Sequence, residues 1–334
     1  MNSRPQFATF SLLLLLAFGQ AAIPQSPAND PGPLFPVKKD GKWGYIDKAG
    51  KIVFAPKYDG AGRFSEGLAA VKVGKKWGFI DKTGQMVIPP QYDDTGEFSE
   101  GLAAVATGNK WGFIDKIGKL VIPTRYDRAE DFTEGLAAVQ KSDKWGYIDK
   151  IGKMVIPLQY DGVLALYFSE GLAAVVVGDK MGHIDKTGKM VFQSQYHLTG
   201  VFSEGKAVVE LEFGGKWGYI DRAGKMVIPL QYDNADSFSE GLAAVQTGDK
   251  WGFIDKTGKL VIPPQYDFAL KFSEGLAAVE VGRKYGFIDK TGKMLIPPQY
   301  TGAASFSDGL ARVRIEGKYG YIDETGKYVW PPTK

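Results

Sequence analysis

A Trp-Gly pair, or a degenerate copy of it, returns nine times along this chain: at Trp43, Trp77, Trp111, Trp145, Met181, Trp217, Trp251, Tyr285 and Tyr319. The spacing is 34 residues, lengthening to 36 on either side of Met181. A fixed period in this range means stacked supersecondary units, none able to bury its apolar face alone. Within a unit, three short runs have strand character, as in Leu68-Ala69-Ala70-Val71, Lys76 to Asp81 and Met86-Val87-Ile88. Helical periodicity is missing, and β-branched and aromatic residues dominate between Gly and Pro punctuation. The fold class is all-β.

The second and third runs are joined by Asp81-Lys82-Thr83-Gly84-Gln85. Asp opens a type I turn by accepting backbone N–H groups, and Gly takes the left-handed position that follows, which describes a bulged hairpin. Asp47, Asp81, Asp115, Asp149, Asp221 and Asp255 share that position, as do Asp185, Asp289 and Asp323. A carboxylate needed nine times over is a folding requirement rather than a catalytic acid. The same holds for Glu66 and its copies in Phe-Ser-Glu-Gly, read as a tight turn. Pro89-Pro90 ends pairing, since Pro cannot donate to a ladder. Trp77 and Phe79 share one face of the central strand, with Gly78 there so that a neighbouring group can approach closely. Trp43, Trp77, Trp111, Trp145, Trp217 and Trp251 therefore read as inter-unit core rather than sugar-stacking platforms.

Phase bears on closure. Leu34 precedes Trp43 by the nine residues that separate Leu68 from Trp77, and the chain ends on the third run, Lys327 to Trp330. Whole units fit, with no strand left over at either end to complete a unit at the other. Three strands in 34 residues is also thin for a propeller blade. These points predict an open superhelix or solenoid, with a closed propeller-like ring as the alternative.

The N-terminus reads as a leader. Arg4 precedes an apolar stretch from Phe7 to Phe18, and Gly19-Gln20-Ala21-Ala22 offers small residues for cleavage. Residues 1–22 are expected to be a signal peptide, residues 23–33 a Pro-rich tether, and residues 34–332 a single nine-unit array. The apolar run is short for a bilayer span and no second one follows. Export, to the periplasm or outside the cell, would permit disulfides, yet the chain has no Cys. Stability must come from burial between units. With 41 basic and 38 acidic side chains, composition gives no reason to expect nucleic-acid binding.

The unit Lys250 to Asp267, Lys-Trp-Gly-Phe-Ile-Asp-Lys-Thr-Gly-Lys-Leu-Val-Ile-Pro-Pro-Gln-Tyr-Asp, resembles the WG (KWG) repeat family of bacterial proteins. The resemblance runs from about Leu34 to Pro332. It implies a secreted or envelope-associated β-repeat protein and supplies no catalytic residues, cofactor or common ligand. The fifth unit departs most, with Met181 for Trp, His183 for the aromatic and Gln193-Ser194 for the Pro pair.

Three features bear on chemistry. Lys before each aromatic (Lys42, Lys76, Lys110, Lys144) and after each turn would stack into basic ladders, able to hold an anionic polymer or merely to block edge pairing. The fifth unit holds the only two histidines, His183 and His197, and its flanks are the longer ones, near Tyr167 and Glu210 to Phe213. His183, His197 and Tyr167 are thus the candidate binding residues, against a plain reading as repeat drift; two His alone do not make a metal site. No nucleophile motif, Walker loop or dinucleotide fingerprint is present. The stretches that differ between units, Gly60 to Arg63, Asp94 to Glu97, Arg128 to Asp131, Gly162 to Tyr167, Asn234 to Ser237 and Phe268 to Lys271, are those free to face a partner. The expected function is a non-enzymatic binding or scaffold module for an envelope protein or periodic cell-wall polymer, without cofactor or metal. The alternatives are a hydrolytic or metal-dependent enzyme centred on the fifth unit and a purely structural spacer.

Overall fold

The computed structural model describes residues 30–163, 167–178, 180–193 and 196–333. The leader and most of the tether lie outside these residues. From Pro31 onward the chain is one compact unit. Among the described residues no helix is long and apolar enough to cross a membrane.

The first sheet contains β1 (Leu34–Lys39), β2 (Lys42–Asp47) and β3 (Ile52–Tyr58), paired in that order. The second contains β4 (Gly60–Ser65), β5 (Leu68–Val73), β6 (Lys76–Asp81) and β7 (Met86–Tyr92). Seven more four-stranded antiparallel sheets follow, each opening with a two-residue strand such as Asp94–Thr95 or Phe268–Ala269. Three strands per unit were expected. The fourth forms from the variable stretch after Tyr-Asp and pairs at the free edge of the Leu-Ala-Ala-Val strand, as in Asp94↔Ala106 and Thr95↔Val105.

Each sheet has two apolar faces, and they are complementary from one sheet to the next. Leu68, Ala70, Phe79, Ile88 and Tyr92 of the second sheet pack on Ala103, Val105 and Ile114 of the third, with Phe98 between them. Large side chains on one face meet alanine and β-branched residues on the other, so the core is a series of intersheet layers. Phe98 meets Phe79 edge-on at 4.9 Å, and the same pairing recurs at Phe113–Phe132, Tyr147–Phe168 and Phe253–Phe272.

The expected open solenoid is not what forms. The ninth sheet packs on the first: Phe35, Val37 and Ile46 share a buried cluster with Leu310 and Tyr321, and the Phe35 and Tyr321 rings lie 5.5 Å apart. Tyr321 donates to the carbonyl of Pro36 at 3.1 Å, and Thr333 to that of Lys38 at 2.7 Å. The nine sheets close into a β-propeller ring. Phase excluded only closure by strand exchange. This ring closes face to face, because a head-to-tail contact that repeats through nine equal rotations returns to its start.

Candidate functional site: the axial mouth of the ring

The repeated polar residues are consumed by the scaffold. The carboxylate of Asp81 accepts from the N–H groups of Thr83 and Gln85 and from the Thr83 hydroxyl, and Asp47, Asp115, Asp149, Asp221 and Asp255 accept backbone N–H groups in the same way in their turns. The hydroxyl of Thr257, and then backbone N–H groups, hold Asp255 below the usual carboxylate range. Trp145 and Trp251 are buried, and Trp43, Trp77, Trp111 and Trp217 pack partly buried against the intersheet clusters. Gly78 sits where a Cβ would lie 2.4 Å from the carbonyl of Ile88, so the bulged Ile-Pro-Pro segment crosses directly over it.

Among the described residues, most lysines before the aromatic are ion-paired rather than free, whereas those after the turn glycine, such as Lys119, Lys153 and Lys259, carry no ion pair. Lys42 pairs with Asp59 and Lys76 with Asp93, both at 2.6 Å, and Lys110–Asp127, Lys144–Asp161, Lys216–Asp233 and Lys250–Asp267 repeat the pattern. The ammonium of Lys42, and then the N–H of Gly74, hold Asp59 below its ordinary range. On the Phe-Ser-Glu-Gly segment, Glu66 accepts the Gly101 N–H of the next sheet and pairs with Lys116, while Ser65 donates to the carbonyl of Phe98. This segment, read from sequence as a turn alone, is also an intersheet latch. Its retention in the irregular fifth unit, as Phe202-Ser203-Glu204-Gly205, was the available signal.

The two histidines are not brought together. His183 takes the core position of Tyr45 and Tyr219, fully buried, stacked on Phe192 at 4.9 Å with Nε2 3.3 Å from the carbonyl of Gly200. Burial, opposed by that hydrogen bond, pushes its pKa down to about 4, and Nδ1 has no partner. His197 takes the position of the lysine-pairing aspartates; its Nδ1 lies 3.9 Å from Glu210, and its ring is 5.7 Å from exposed Phe213. Among the described residues no cluster of three His, Cys, Asp or Glu could hold a metal.

Tyr167 belongs elsewhere. With Ser65, Glu97, Glu130, Asp131 and Thr133 it lines a cavity of about 310 Å3. These residues come from four consecutive sheets, which converge only on the axis side of a ring. Glu97 and Asp131 share an offset of twenty residues past Trp77 and Trp111, an offset that also holds Arg63, Val201, Ser237, Lys271 and Ser305. Arg63, Glu97 and Ser305 meet in a second cavity of about 200 Å3, where the second and third sheets approach the ninth. Variable segments thus line one mouth, basic at Arg63 and acidic at Glu97, Glu130 and Asp131, and the repeat offset assigns Lys271 to the same rim. Burial, then the charges of Glu97 and Glu130, raise Asp131 to about 6. Among the described residues of this lining, Ser65 and Ser99 donate to the carbonyls of Phe98 and Phe132 rather than to a base.

Fold and site together define a closed nine-bladed β-propeller with a chemically varied axial mouth. Eight consecutive segments, from residues 43–77 through 285–319, match the profile of the WG containing repeat, and the chain belongs to that family. No curated protein matches it. Among solved structures, a eukaryotic initiation factor superposes with a TM-score of 0.65 at 12% identity, covering 89% of this chain and 94% of that one. Dihydro-heme d1 dehydrogenase NirN in complex with DHE gives 0.48 at 15% identity over 84% and 76% of the two chains. Hsv2p of Kluyveromyces lactis gives 0.46 at 11% over 70% and 94%. At these identities the likeness concerns the ring fold alone, and the two looser superpositions carry nothing further.

Proposed function

We propose that this protein is a non-enzymatic binding module of the cell envelope whose recognition surface is the axial mouth. One observation carries the reading: side chains at positions that differ from unit to unit meet in cavities at that mouth, while the repeated aromatics, aspartates and glutamates are buried or bonded within the scaffold. A rigid ring presenting varied side chains on short segments suits recognition. The sign pattern of the mouth, with Arg63 beside Glu97 in one cavity and Glu97 beside Asp131 in the next, favours a protein surface of mixed charge over a uniformly anionic polymer. The radial rather than linear arrangement of the units, and the ion pairing of most lysines that precede the aromatics, weigh against tracking of a periodic polymer. Export by residues 1–22 is part of the proposal.

The test replaces Arg63, Glu97, Asp131 and Lys271 together by Ser. All four are outside the intersheet layers, so thermal unfolding should stay within a few degrees of the parent. Salt-sensitive, saturable binding of the mature protein to isolated envelope fractions should be lost in this variant and kept in His183→Tyr. Equal binding by the parent and the fourfold variant would sink the reading.

A further inference from the structure

Eight of the nine sheets carry a short strand along the free edge of their Leu-Ala-Ala-Val strand; among the described residues the first sheet has none, and β1 pairs with β2 alone. The groups that this strand engages elsewhere have counterparts at the seam that, among the described residues, are either without a partner or capped by side chains of the ninth sheet. In the eighth sheet, Asp267 pairs with Lys250, accepts the Gly282 N–H at 2.6 Å and donates its own N–H to Glu280; Leu270 donates to Ala278, and Phe268 lies on Trp251 at 5.4 Å. By the repeat offset these partners become Lys318, the N–H of Asp40, the carbonyls of Lys38 and Pro36, and Tyr319. No carboxylate among the described residues is within ion-pair reach of Lys318, Lys38 or Arg312; six lysines equivalent to Lys318 are paired, and Lys284, for which Thr301 holds the aspartate position, is not. The carbonyls of Pro36 and Lys38 are capped instead by the Tyr321 and Thr333 hydroxyls. Tyr45 and Tyr219, at the position of Tyr321, donate to the carbonyl of the third residue after Tyr-Asp, Gly62 and Asp236. Tyr321 has been redirected.

The position is a cleft of about 360 Å3, lined among others by Pro36, Trp43, Arg312, Tyr319, Tyr321 and Trp330. Arg312 lies 5.0 Å from the Tyr319 ring centroid. Pro36 and Tyr321 also border the neighbouring 200 Å3 cavity, so the open space follows the β1 edge.

We infer that the seam between the first and ninth sheets is a docking slot for an extended peptide of a partner protein, carrying an aromatic-Asp-x-small motif like that of the internal short strands. The peptide adds as a strand to β1. Its aspartate engages Lys318 and the Asp40 N–H, its following residue packs between Tyr319 and Trp43, and its N–H groups reach the carbonyls of Lys38 and Pro36 as Tyr321 swings to a peptide carbonyl. Pro36 withholds one donor from this edge, which keeps the pairing short and reversible. The slot goes beyond the axial reading and rests on a different observation.

The probe is the capped hexapeptide of residues 265–270, Gln-Tyr-Asp-Phe-Ala-Leu, titrated calorimetrically into the full chain. One-to-one saturable binding is expected. Replacing the peptide's Asp by Asn, or Lys318→Ala in the protein, should each weaken it roughly 3- to 10-fold, as for a partly exposed ion pair at a small interface. Lys250→Ala, which removes a lysine already paired, should leave it unchanged. Lys318→Ala, which lies outside the axial mouth, should leave binding to the envelope fractions unchanged, so failure of the axial reading and failure of the slot are separable. Absence of saturable binding at millimolar peptide, or binding indifferent to both the Asn peptide and Lys318→Ala, overturns the inference.

Discussion

At the scale of single residues, the repeat makes each departure a controlled comparison. His183 stands where its counterparts are Tyr or Phe, and its buried Nδ1 is unsatisfied. Its pKa falls from 6.5 to about 4 on folding. The unfolded chain therefore binds a proton that the folded chain does not, so stability is lost as pH falls from 6.5 towards 4. His183→Tyr supplies the hydroxyl that Tyr45 and Tyr219 direct at the equivalent carbonyl. It should stabilise the ring, by about 1–2 kcal/mol more at pH 5 than at pH 8. Urea unfolding at the two pH values measures the difference; an equal gain at both would mean that the imidazole does not titrate on unfolding. The turn glutamates are a second residue-scale lesson. Glu66, Glu100, Glu134 and their copies hold φ near +50°, a conformation that costs a non-glycine residue of order 1 kcal/mol. Sequence explains the following Gly as a turn former, but not why Gly or Asn does not stand in place of Glu. The intersheet bond from Glu66 to the Gly101 N–H does.

At the scale of the element, the hairpin was legible: strand, Asp-opened turn and bulged return follow from residue chemistry alone. The role of Gly beside Trp was legible too, since a glycine inside a strand signals close approach. Gly112→Ala would bring a methyl to 2.4 Å from the carbonyl of Ile122, with backbone on every side. It should cost about 2–3 kcal/mol. Gly182→Ala, in the unit that lacks the Pro pair, meets the thioether of Met190 first, a flexible group that can turn aside. It should cost clearly less, and comparison of the two urea midpoints decides. The fourth strand was not legible. It is two residues long in seven of its eight occurrences and arises from the least repeated sequence, so periodicity and propensity are silent about it; its register comes from the flanking Tyr-Asp and Phe-Ser-Glu-Gly anchors. The candidate site was legible in part for the same reason. Variability marked the axial segments and Tyr167, whereas His183 and His197 drew notice through rarity, which says nothing about where a side chain points.

At the scale of the whole molecule, closure was the feature that sequence phase misjudged. It depends on the fit between the Phe35 face and the Tyr321 face, and on the wedge angle of each layer, neither of which is written in the order of strands. Excision of residues 111–144 tests it. An open array would shorten and remain folded, whereas a ring of eight must strain every layer or part at one. The excised protein should lose well over ten degrees in thermal midpoint or change its association state; a midpoint within a few degrees of the parent would argue against a closed ring in solution.

Closure that, among the described residues, exchanges no strand also bears on how such a chain can grow. In an open stack, one more copied unit lengthens the molecule and nothing else. Here every added unit takes its share of a full turn, so the copy number is tied to the bulk of the side chains between sheets. Tandem duplication alone would produce mismatched circles, and each change in count must be accompanied by coordinated resizing of alanines and aromatics around the whole circumference.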